Sequence, residues 1–227
     1  MTAKDMFSHR VSILTGHYGT GKTEVSVNLA LALAAEGEQV MLADLDIVNP
    51  YFRSRERRPL LEKAGVRVIS SSQACSDADV PALPAELLTI LENREIRGIL
   101  DIGGDPVGAR VLARFQPKIV QEDYQLIFVL NANRPEVRDA ESAAAYLRSI
   151  EAVTGLTCSG LVNNTHLCGQ TTPTEIRKSA ALAQEVSRQT GIPILCHTAE
   201  RLFLDSLSDL GEPVFPIAIN MKKPWER

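Results

Sequence analysis

The sequence predicts an α/β fold: a three-layer αβα sandwich on a mostly parallel sheet of seven or eight strands. Three observations predict it. Short apolar runs alternate with longer amphipathic stretches, at the spacing of strand–helix–strand units. One run, Leu126-Ile127-Phe128-Val129-Leu130, is apolar without a break, as strands covered on both faces are. The glycine-rich stretch Gly16-His17-Tyr18-Gly19-Thr20-Gly21-Lys22-Thr23 sits between a strand pattern (Val11, Ile13, Leu14) and a helix pattern (Val25, Val27, Leu29, Ala30, Leu33). With 227 residues and 44% hydrophobic content, the chain is expected to form one domain over 1–227 with a sizeable core. Only 5% of residues are aromatic, which suits an aliphatic α/β interior.

Taken in order, strands are expected at 11–15, 39–44, 66–70, 98–102, 125–131, 158–163 and 193–196, with a weaker one at 214–219. Helices are expected at 22–35, 58–64, 84–93, 106–121, 136–152, 173–190 and 200–209. Parallel strands joined by helices form βαβ units with helices on both faces, and ligands then bind at the carboxyl ends of the strands. Residues 71–84 read as a loop that either covers a site or is a plain surface connection.

The stretch 16–23 is G-x-x-x-x-G-K-T, the phosphate-binding loop of nucleoside triphosphatases. Gly16, Gly19 and Gly21 let the backbone bend so that N–H groups face phosphates. The helix beginning at Lys22 points its positive end at the same anions. Lys22 is expected on the β- and γ-phosphates, and Thr23 on Mg²⁺. His17, Tyr18, Thr20 and Glu24 complete the loop and the helix start as nucleotide-contact candidates; His17 alternatively is an ordinary exposed loop histidine.

Each later strand also ends in polar residues. The second ends in Asp44-Leu45-Asp46, whose alternation aims both carboxylates the same way. Mg²⁺ would relieve their repulsion directly or through its waters, and one of them can orient an attacking water. The alternative is that one caps a turn. The fourth strand ends in Ile99-Leu100-Asp101-Ile102-Gly103-Gly104, a Walker B pattern with Asp101 on a Mg²⁺-bound water and Gly103-Gly104 free to approach a γ-phosphate. The sixth ends in Asn163-Asn164, whose amides either pair with an adenine edge or form an Asx turn. No N-K-x-D occurs, so ATP is preferred over GTP. Arg53, Arg55, Arg57 and Arg58 form either a solvated face or a site for an anionic substrate, with Arg53 and Arg55 the candidates.

Composition narrows the partners. The net charge is −4 and the pI about 5.6, which argues against nucleic-acid binding. The four cysteines (Cys75, Cys158, Cys168, Cys196) include no C-x-x-C, so neither a zinc site nor a disulfide framework is expected and a cytoplasmic setting is. No leader peptide or membrane span is expected.

These motifs in this order resemble the ParA/MinD/Mrp-like branch of P-loop ATPases, in the SIMIBI class. The resemblance is strongest over Gly16–Ala34, Asp44–Pro50 and Ile99–Gly104. The chain is also similar to a group of bacterial and archaeal ATP-binding proteins carrying G-H-Y-G-[ST]-G-K-T and D-L-D-I-V-N-P-Y-F-R. The resemblance implies a Mg²⁺-dependent ATPase, slow alone and stimulated by a partner, with a homodimer or another protein as the candidate partner. It places Asp46 near Mg²⁺ and the attacking water, and Asn164 on adenine. Two departures stand out. ParA and MinD carry a lysine after the first loop glycine that reaches the partner subunit's nucleotide, and His17 stands there. Mrp-type carriers hold an iron–sulfur cluster through a C-x-x-C that this chain lacks. The alternatives are a small-molecule kinase or ATP-dependent ligase on the same fold, and a nucleotide-gated binding module that barely hydrolyses.

Overall fold

The computed structural model of the protein describes residues 1–46, 54–70, 85–167 and 169–221. Among the described residues there are eight strands: β1 (Val11–Thr15), β2 (Gln39–Leu45), β3 (Arg67–Ser70), β4 (Ile96–Ile102), β5 (Tyr124–Leu130), β6 (Cys158–Asn163), β7 (Ile194–Glu200) and β8 (Val214–Ile217). They form one sheet in the order β3-β2-β4-β1-β5-β6-β7-β8. Every neighbouring pair is parallel. β1 therefore lies at the centre, with β4 and β2 on one side and β5, β6 and β7 on the other.

Alternation along the strands builds two cores, one on each face. Leu126, Phe128 and Leu130 of β5 face one layer with Ile13, Leu100 and Ile102. That layer is closed by helices α4 (Ala85–Glu92) and α7 (Ala140–Thr154), through Ile90, Leu147 and Ile150, and by Val186 of α8 (Pro173–Thr190). Ile127 and Val129 face the opposite layer with Leu14, Leu42 and Ile99. There the cover is α2 (Lys22–Ala35), α3 (Arg58–Lys63) and the short α1 (Ala3–Met6), through Val27, Leu33, Leu61 and Met6. Each fully buried Leu, Ile or Phe contributes about 1.5–3 kcal/mol, so an aliphatic sandwich of this kind needs few aromatics. This is the αβα sandwich that the sequence predicts.

The boundaries of β1, β6, α2 and α8 coincide with expectation. Three predicted helices do not form as single helices. The stretch 106–121 breaks into α5 (Pro106–Ala109), a 3-10 turn (Arg110–Arg114) and α6 (Gln116–Ile119). Pro117 cannot donate into a preceding turn, and it forces a new start. The stretch 136–152 divides at Asp139, whose carboxylate accepts from Ser142 N at 2.8 Å and caps α7. Residues 200–209 form two 3-10 turns after a β7 that runs on to Glu200. The sequence reading also missed α1, closed by a Thr2–Asp5 capping box. Among the described residues, no helix is long and apolar enough to cross a membrane.

Candidate functional site

The loop between β1 and α2 closes on itself at the carboxyl end of the central strand. Gly16, Gly19 and Gly21 all adopt positive φ. At Gly21, with φ +85°, a Cβ would also stand 2.2 Å from Asn164 Nδ2, so no other residue fits. The His17 carbonyl accepts from Thr20 N (3.2 Å), Thr20 Oγ1 (2.9 Å) and Lys22 Nζ (3.3 Å). Lys22 is thus folded over the loop and buried. Burial pulls its pKa down, while Asp101, Asp46 and Asp105 draw it back up.

The acidic side of the site comes from β2 and β4. The parallel register sets Asp44 directly opposite Asp101, so two carboxylates lie side by side, 3% and 1% exposed. Neither oxygen of Asp101 has a hydrogen-bond partner among the described residues. Burial, then the neighbouring Asp44, pushes the Asp101 pKa up to about 7, against the pull of Lys22 and Thr23. A buried pair of carboxylates is costly to keep as a structural element, and carboxylate oxygens suit a hard cation. Among the described residues, no three His, Cys, Asp or Glu side chains form a complete cage. Asp46 stands further out, its Oδ1 3.4 Å from where a Gly103 Cβ would be.

Gly104 packs onto the loop. A Cβ on Gly104 would lie 2.8 Å from Lys22 Nζ and 2.9 Å from Tyr18 N, so only glycine permits this approach. Asp105 then caps α5 by accepting from Gly108 N at 2.6 Å. The sequence reading missed Tyr146 of α7, whose hydroxyl donates to the Gly104 carbonyl. Its ring meets His17 edge-on at 5.0 Å between centroids, and burial pushes its phenol up to about 12. His17 accordingly folds inward: its Nδ1 is 3.1 Å from the Tyr18 carbonyl and 3.6 Å from Glu136 Oε2. Tyr18 is exposed.

Three candidate nucleotide contacts are engaged within the protein, beginning with Glu24. Its carboxylate is buried and accepts from Asn220 N (2.8 Å), Met221 N (3.0 Å) and Asn28 Nδ2 (3.2 Å), so it ties the 218–221 segment to α2. Burial raises its pKa against those bonds. Asn163 is buried too, with Nδ2 on Ser179 Oγ (2.9 Å) and His197 Nδ1 (3.0 Å) and with Oδ1 accepting from Thr165. Asn164 braces the loop from behind: Nδ2 donates to the Thr20 carbonyl (2.8 Å) and Oδ1 accepts from Thr198 Oγ1 (2.5 Å). Both amides are buried and bonded within the protein.

Of the arginine cluster, Arg53 lies outside the described residues, and so does the side chain of Arg55. Arg57 lies close enough to Glu24 to act on its charge, and Arg58 pairs with Glu62 at 3.3 Å. The loop 71–84, Cys75 and Cys168 also lie outside the described residues. Cys158 and Cys196 are buried, and burial pushes both thiols up, Cys158 to about 12.

Comparison with known proteins agrees with this geometry. Residues 6–54 match the ParA family described as "NUBPL iron-transfer P-loop NTPase". The chain is 36% identical over 95 residues to a cytosolic Fe-S cluster assembly factor, cfd1, of Emericella nidulans, covering 42% of this chain and 26% of that protein. It is 50% identical over 40 residues to an iron-sulfur cluster carrier protein of Escherichia coli K12, covering 18% of this chain and 11% of that protein. The matched stretches thus span about a quarter or less of these relatives. Among solved structures, the fold resembles the signal recognition particle 54 kDa protein of Aeropyrum pernix K1 (TM-score 0.54, 23% identity, 82% of this chain and 40% of that one). It equally resembles the cell division protein ftsY of Thermotoga maritima (TM-score 0.55, 23% identity, 81% and 59%). With a glycine-rich loop on the central strand of a parallel sheet, Asp101 on the neighbouring strand and the ParA match across the loop, the chain has the α/β P-loop NTPase fold and, over residues 6–54, resembles the ParA/MinD/Mrp-like branch of that fold.

Proposed function

We propose that this chain, as one nucleotide-binding domain, binds ATP with Mg²⁺ and hydrolyses it slowly. It uses the presence of the γ-phosphate as a switch read by a partner protein or a second copy of itself. The observation that carries the reading is Lys22 folded over a glycine loop beside the buried Asp44–Asp101 pair. An isolated acidic pair there costs stability, and a site for a metal–phosphate complex explains why it is kept.

In this reading the loop N–H groups from Gly19 to Thr23 hold the phosphates, and the first turn of α2 adds its positive end. Lys22 exchanges the His17 carbonyl for phosphate oxygens and stabilises the charge that develops on the transferred group. Thr23 and the carboxylates of Asp44, Asp46 and Asp101 are the groups that would hold Mg²⁺, directly or through water. The ion supplies neutralisation of the terminal phosphates. Asp46, next to Gly103, orients the attacking water. Gly103-Gly104 meets the γ-phosphate and relaxes when it leaves. ATP is preferred over GTP because the sequence lacks the N-K-x-D that reads guanine. Cluster carriage is left out, because there is no C-x-x-C and the described cysteines are buried.

Product analysis with γ-labelled ATP tests the proposal. The expected result is slow, Mg²⁺-dependent release of phosphate to water that Lys22→Ala abolishes. No release over hours, or label appearing on an acceptor, would reject the hydrolytic switch.

A further inference from the structure

One charged side chain at the loop is used by none of the motifs. Arg134, just beyond the end of β5, donates from Nε to the Gly19 carbonyl at 2.8 Å. Its guanidinium lies against that glycine so closely that a Cβ there would stand 2.7 Å from Arg134 Cζ and 2.9 Å from Nη2. Arg134 is exposed, and its Nη groups have no acceptor among the described residues. Nε is the tether and the rest of the fork is unspent, so the group is held in place before any ligand arrives.

Sheet order decides which part of a nucleotide it meets. Lys22, Gly104, Asp44 and Asp101 lie over β1 and on the β4–β2 side, where the terminal phosphates and metal belong. Arg134 follows β5, and Asn164 and His166 follow β6, on the opposite side of the loop. His166 Nε2 is 2.9 Å from the Gly21 Cβ position, and burial and Arg134 together push its pKa down. A nucleotide whose γ-phosphate reaches the carboxylates therefore runs its ribose and base across the β5–β6 side.

We propose that Arg134 is a nucleotide-binding residue that clamps the ribose–purine end of ATP or ADP, with its guanidinium plane along the purine and its Nη groups on ribose oxygens. This rests on the nucleotide reading above. It adds a contact on the side of the loop that Asn164 braces, and it explains why the third variable position of the loop is glycine: any side chain at 19 would displace the arginine. Planar stacking and fork geometry favour arginine here over lysine.

The test is equilibrium binding of ATP, ADP and inorganic triphosphate, each with Mg²⁺, to the unaltered chain and to Arg134→Ala and Arg134→Lys. The side chain is exposed, so both variants should melt at the wild-type temperature. Arg134→Ala is expected to weaken ATP and ADP alike by about tenfold, the worth of a charged hydrogen bond. Inorganic triphosphate should bind unchanged. Arg134→Lys should recover less than half of the lost binding energy. Unchanged ATP and ADP affinity, or an equal loss for inorganic triphosphate, overturns the assignment. If the unaltered chain binds none of the three, the nucleotide reading itself falls and takes the assignment with it.

Discussion

Replacing Asp101 by Asn should stabilise the metal-free protein at alkaline pH while abolishing its Mg²⁺-dependent chemistry. Asp101 is 1% exposed, faces Asp44 across the β2–β4 register and has a pKa pushed up to about 7. An unfolded aspartate titrates near 3.9. Between these values the folded chain holds a proton that the unfolded chain has lost, so stability falls as pH rises through the folded pKa. From about pH 5.5 to pH 8 this one group should cost about 2 kcal/mol, with the attraction of Lys22 already contained in the value of about 7. Asn has no charge to lose, and its amide can donate to Asp44. The stability difference between Asp101→Asn and the unaltered chain should therefore grow by about 2 kcal/mol in favour of the variant over that range. For a chain of this size that corresponds to a relative melting shift of about 4–8 °C. Urea unfolding in chelator at both pH values reads it directly. A difference that does not change with pH, or that grows against the variant, would refute the assignment of a strained carboxylate pair.

Three further perturbations separate roles within the site. Tyr146→Phe keeps the ring contacts with His17 and Phe128 but removes the donor to the Gly104 carbonyl. ATP affinity should stay within about twofold while turnover falls several-fold, since a hydrogen bond worth about 1 kcal/mol holds that loop; equal effects on both would show that the bond does not position it. Asn164→Ala strips partners from the Thr20 carbonyl and the Thr198 hydroxyl in a fully buried spot, and should cost about 2–4 kcal/mol in urea unfolding. A cost well under 1 kcal/mol would mean that Asn164 does not brace the loop. Glu24→Gln replaces an acceptor of two backbone N–H groups with an amide that can satisfy one. Amide exchange at 218–221 should quicken while ATP affinity is kept; a large loss of ATP affinity instead would put Glu24 back at the nucleotide.

Much of the architecture was legible because its signals are local. Leu126–Leu130 reads as a doubly covered strand, and Gly16–Thr23 carries its own strand and helix on either side. The side-by-side pairing of Asp44 with Asp101 was not legible, because it depends on the register of strands 57 residues apart in sequence. Polar side chains near a loop look alike in sequence, whether they face a ligand or the protein. Glu24, Asn163 and Asn164 spend their hydrogen bonds on distant backbone and side-chain groups that no spacing reveals. Arg134 and Tyr146 reach the loop from β5 and α7, which are brought there only by folding. The break within 106–121 is different, since Pro117 is visible in the sequence and cannot donate into the preceding turn.

The most direct measurement is the equilibrium affinity for ATP with Mg²⁺ and with chelator, in the unaltered chain and in Lys22→Ala. The geometry of Lys22, Thr23, Asp44 and Asp101 predicts binding that tightens at least about tenfold with Mg²⁺ and is lost in the variant. Absence of ATP binding, or binding of equal strength with and without metal that survives the loss of Lys22, would contradict it.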